Sequence, residues 1–61
     1  SNREVRGKII KLLIEKDNIH AQKISEEIDE DSIIIQKALH GLENDKLIKF
    51  KKNNIIEINS N

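Results

Sequence analysis

Between residues 4 and 16 the apolar side chains recur at helical spacing. Val5, Ile9, Leu12 and Leu13 stand at i, i+4, i+7 and i+8, with Arg, Lys and Glu filling most of the positions between them. The spacing predicts a first helix over 3–16. Ile10 and Ile14 lie beside that stripe and widen the apolar arc beyond what a surface helix needs. They are expected to be covered by the last strand or by a second copy of the chain. Gly7 interrupts the pattern at some cost in helix propensity, which close packing against a neighbouring element would explain. Asp17-Asn18 ends the helix, and Asn18 is the expected left-handed residue there.

Ile19 then reads as a one-residue strand, a third strand for any sheet that follows. Ala21, Ile24 and Ile28 form the inner face of a short helix, with Gln22, Lys23, Ser25, Glu26 and Glu27 facing water. His20 stands at its N-cap, where it acts as a cap substitute or as a phosphate contact. Asp29-Glu30-Asp31 is a turn that supplies a cap and negative charge to the next helix, in keeping with its dipole.

Helix three is predicted over 32–45. At about 100° per residue, Ile35, Ala38, Leu39 and Leu42 share one arc with Ile34 at its edge. Ile33, Gln36, Lys37, His40 and Asn44 gather on the opposite side. Leu47–Lys52 and Ile55–Asn59 read as two strands around an Asn53-Asn54 turn, since Asn accepts positive φ at low cost. Ile56 and Ile58 alternate with Glu57 and Asn59 as in a half-buried strand. The expected fold is mainly α with a small β-hairpin, a three-helix winged helix-turn-helix domain over 3–59, with Ser1-Asn2 as a possible cloning remnant.

Composition narrows the chemistry. Sixty-one residues make one domain, near the lower limit for folding without staples. There is no cysteine, so disulfides and thiolate metal sites are excluded, and His20 and His40 stand too far apart in sequence for a local metal pair. No nucleophile–base set, Gly-rich phosphate loop or ligand cluster stands out, so the expectation is no catalytic residue, no metal and no cofactor. Phe50 is the only aromatic, which argues against the stacking platforms of single-strand and RNA binders. No apolar run reaches membrane-spanning length and no signal-peptide pattern opens the chain; a cytoplasmic setting is expected, without membrane contact.

Net charge is zero, yet the chain is basic, then acidic, then basic again. Arg3, Arg6, Lys8 and Lys11 open it, residues 15–31 are mostly acidic, and Lys37, Lys46, Lys49, Lys51 and Lys52 follow. Such asymmetry fits one face that meets phosphate, and it also fits a mixed solvated surface. The outer face of helix three offers a long amide, an ammonium and an imidazole at one-turn spacing, a set able to reach base edges and phosphates together. Ile33 on that face would touch thymine methyls or belong to a protein-binding patch.

Ala21-Gln22-Lys23-Ile24-Ser25-Glu26-Glu27-Ile28 and Ile35-Gln36-Lys37-Ala38-Leu39-His40-Gly41-Leu42-Glu43-Asn44-Asp45-Lys46-Leu47-Ile48 carry a resemblance. With them the chain resembles the winged-helix superfamily over Val5 to Ile58, and is most similar to small bacterial, archaeal and viral transcription-regulator domains. The resemblance implies binding of double-stranded DNA, with helix three in the major groove and the hairpin on the backbone. The implied contacts are Ile33, Gln36, Lys37, His40, Asn44, Lys51, Lys52 and Asn53. Lys46 departs from the pattern, where these families often have Gly for a left-handed turn. A narrower resemblance is to Z-alpha domains, which bind left-handed duplexes; Gln36 and His40 fall at that family's helix positions, but the hairpin has Asn53, Asn54 and Ile55 in place of Pro-Pro and Trp. The rival expectation is a winged helix that binds protein, or a homodimer through Ile10 and Ile14, for which neutral net charge, the acidic 26–31 stretch and Ile33 all speak.

Overall fold

The computed structural model describes residues 2–60; Ser1 and Asn61 lie outside the described residues, and with Ser1 half of the possible cloning remnant. Asn2 is already the first residue of a helix, α1 (Asn2–Lys16). A short strand β1 (Asn18–His20), helices α2 (Ala21–Glu27) and α3 (Ser32–Asn44), and strands β2 (Ile48–Lys51) and β3 (Ile55–Ile58) complete the order. The result is mainly helical with a small antiparallel sheet, in the winged-helix-like layout expected. The sheet runs β1-β3-β2, so the strand anticipated at Ile19 spans three residues and pairs with β3.

The core is aliphatic throughout. Val5, Ile9 and Leu13 from α1, Ile24 and Ile28 around α2, and Ile35, Ala38, Leu39 and Leu42 from α3 meet Ile19, Ile48 and Ile56 from the sheet. Each comes from the apolar phase of its own element, period 3.6 on the helices and period 2 on the strands, so one interior closes between the helices and one face of the sheet. Among the described residues no polar or charged side chain is buried with it. Leu12 and Ile10 are half-buried against the core, whereas Ile14 is 68% exposed: the last strand does not cover it. Nothing comes within 4 Å of a Cβ built on Gly7, so close packing is not what that glycine serves.

Left-handed residues end two of the helices. Asp17, at φ 68°, takes the conformation expected of Asn18, because Asn18 is committed to β1 opposite Glu57 and must be extended. After α3, the Lys46 N–H donates to the Glu43 carbonyl and the Leu47 N–H reaches back to Leu42, each at 2.9 Å, with Lys46 at φ 63°. This is a Schellman motif with lysine where glycine would be unstrained. It holds Leu47 out of the strand, which starts at Ile48.

The hairpin loop also differs from expectation. Lys52, Asn53 and Asn54 form a three-residue 3-10 turn, with Asn53 and Asn54 at φ 62° and 60°. Lys51 therefore pairs with Ile55 and Phe50 with Ile56. A two-residue loop with Lys52 in the strand would set Phe50 against Glu57 and mix the two faces of the sheet. The extra loop residue keeps Ile48, Phe50, Ile56 and Ile58 on the inner side, where they pack.

Candidate nucleic-acid interface

The outer face of α3 forms because its apolar residues are used on the other side. Ile33, Gln36, Lys37, His40 and Asn44 are all exposed, as are Lys51, Lys52 and Asn53 on the hairpin. The helix starts cleanly: Asp31 is its N-cap, its Oδ1 accepting from the Ile33 N–H at 2.8 Å. His20 caps α2 in the same way, Nδ1 accepting from the Gln22 N–H at 3.1 Å. The cap substitute is thus the role the geometry gives His20, and the nitrogen turned to the backbone is not available to a ligand.

These exposed residues divide into neighbourhoods. Gln36 shares a cleft of about 300 Å³ with His20, Gln22 and Ser25 from α2 and its cap, and with Asn54 from the hairpin turn. His40 and Asn44 lie one and two turns further along the helix, beside a shallow depression that Glu43 and Lys46 also border. Lys37 sits by Ile34 and Glu30, at the other edge of the helix. Lys51 and Lys52 border a depression with Asn18 and Ile55 on the sheet. Ile33 is 65% exposed and Ile34 beside it 39%, so the start of α3 carries a small apolar patch.

Electrostatics separates the lysines. Lys51 is engaged: its Nζ lies 3.7 Å from Glu57 Oε1, and Lys49 Nζ lies 3.5 Å from Oε2 of the same carboxylate. Lys37 and Lys52 have no ion-pair partner among the described residues. Arg6 is held by Asp45 just past the end of α3, in a pair partly exposed to solvent. Lys23 on α2 pairs with Glu26 and Glu27 along its own helix.

The sequence pattern puts Gln22 and Ser25 on the solvent side of α2 and Asn54 at the hairpin tip, but it does not bring the three beside Gln36. Their meeting with Gln36 depends on how α2 crosses α3, which no spacing within one helix reports. Glu57 was missed as a neighbour of the lysines because the pairing register depends on the loop length. Among the described residues no group of His, Cys, Asp or Glu is placed to hold a metal ion, and no helix is long and apolar enough to cross a membrane. Comparison of the chain with family models, with curated proteins and with solved structures gives no match.

Proposed function

We propose that this domain binds double-stranded DNA as the winged-helix module of a transcription regulator, with α3 in the major groove and the hairpin on the backbone. The observation that carries this reading is the cleft joining Gln36 at the middle of α3 to Asn54 at the hairpin turn and to Gln22 and Ser25 of α2. Three elements that are separate in sequence thereby offer amides and a hydroxyl along one exposed surface, while Lys37 and Lys52, without an ion-pair partner among the described residues, stand outside the cleft on α3 and on the hairpin. Amides can pair with base edges or phosphates, and lysines fix register without reading sequence.

A second reading has its own observation. Ile33 and Ile34 are adjacent and exposed at the start of α3, where a protein partner could dock instead. Fluorescence anisotropy of a labelled random-sequence duplex at low salt separates the two. DNA binding is expected, with an affinity that falls as salt rises and reaches on the order of 10⁻⁴–10⁻⁶ M at physiological salt. Lys52→Ala should weaken it evenly across duplex sequences. A domain that leaves the duplex untouched at low salt overturns the DNA reading and favours the protein partner.

A further inference from the structure

Glu57 occupies the centre of the outward side of the sheet. It lies on the middle strand, opposite Lys49 on β2 and Asn18 on β1. Its side chain is only 24% exposed, and each carboxylate oxygen faces one ammonium: Oε2 to Lys49 at 3.5 Å, Oε1 to Lys51 at 3.7 Å. The two lysines are about half exposed, at 45% and 54% of their side-chain surface. The carboxylate is thus the more fixed partner, and the ammonium groups are gathered around it.

We infer that Glu57 limits the hairpin's grip on a phosphodiester backbone by holding Lys49 and Lys51 as internal counter-charges. The inference rests on the DNA reading and deepens it, since it assigns unequal roles to lysines that look equivalent in sequence. A phosphate approaching the hairpin can recruit Lys52 without breaking an ion pair, because no carboxylate of the described residues is paired with it. To recruit Lys51 it must compete with Glu57, and Glu57 itself repels the phosphate. Both effects lower the number of phosphates the hairpin neutralises, and that number sets the salt dependence of binding. Alternation along the strands produces the arrangement: Lys49, Lys51 and Glu57 point outward because Ile48, Phe50, Ile56 and Ile58 point inward.

The test is Glu57→Gln, which keeps size and hydrogen-bonding capacity while removing the charge, measured against the wild-type domain on the same random-sequence duplex between about 50 and 200 mM salt. Thermal melting of both proteins accompanies it, and Glu57→Ser is the second variant should Glu57→Gln fail to fold. Expected is tighter binding by roughly three- to tenfold at the low-salt end, and a log–log salt slope steeper by about 0.9 for each lysine released. Lys51→Ala should matter little in the wild type and more in the Glu57→Gln background, a coupling that a purely structural role of Glu57 would not produce. Wild type that binds, with a variant of unchanged slope and affinity, overturns the inference and leaves the DNA reading standing. Binding by the variant alone overturns the DNA reading for the wild-type domain and the inference with it. Binding by neither overturns both.

Discussion

Lys46 holds φ at 63°, where the Cβ of an L-residue crowds the following carbonyl at a cost of about 1–2 kcal/mol. Its backbone closes the end of α3, and its carbonyl accepts from the Asn59 side-chain amide at 3.1 Å. Neither contact needs the lysine side chain. Lys46→Gly relieves that strain and adds back about 0.5–1 kcal/mol of chain entropy, so it is expected to stabilise the fold by up to about 1 kcal/mol and to raise Tm by a few degrees; a melting curve that shifts downward would refute the strain argument. Gln36 makes the other residue-scale prediction. It lines the cleft, and Gln suits adenine N6 and N7, so Gln36→Ala should cut discrimination between a preferred site and random duplex by about 1–3 kcal/mol. Competition binding with the two duplexes measures it, and equal loss on both would make Gln36 a backbone contact. The polar face of α3 was legible because a helix fixes its own period. Asp17 in place of Asn18 was not, since the pairing of Asn18 with Glu57, far along the chain, decides that position.

At the scale of elements, caps and loops set the boundaries. Asp31 satisfies an orphan N–H at the start of α3 and brings a negative charge to its dipole. Asp31→Ala is expected to cost about 1 kcal/mol of stability, read by denaturant titration, and to loosen the first turn that carries Ile33. A cost near zero would mean that water or Glu30 replaces the cap. The order and type of the elements could be read from the chain because apolar periodicity is local. Their meetings could not. Arg6 finds Asp45 across 39 positions, and Glu57 finds Lys51 only through a three-residue loop, where the Asn53-Asn54 pair points to a loop of two. Ile14 belongs to the same class of miss: widening of an apolar arc does not say whether a neighbour fills the added width.

The whole molecule rests on one aliphatic interior shared by three helices and a sheet. Ile9 is fully buried at its centre, and a chain this short has about 3–5 kcal/mol of core stability to draw on. Ile9→Ala removes about 2–5 kcal/mol, so the variant should be largely unfolded at room temperature, with lost helical circular dichroism as the readout; a cooperative melt near the wild-type temperature would show a core more tolerant than its packing implies. The place of β3 has a different kind of consequence. The last strand in sequence is the middle strand of the sheet, so both ladders wait for it. During synthesis, a nascent chain that has emerged only as far as Asn54 has two strands with no partner, and the sheet cannot form until residues 55–58 clear the ribosome. Folding should therefore complete late, set by closure of the long span between Asn18 and Glu57. A chain truncated after Asn54 is expected to show no cooperative unfolding transition, and a stable fold in it would show that the helices need no sheet to hold them.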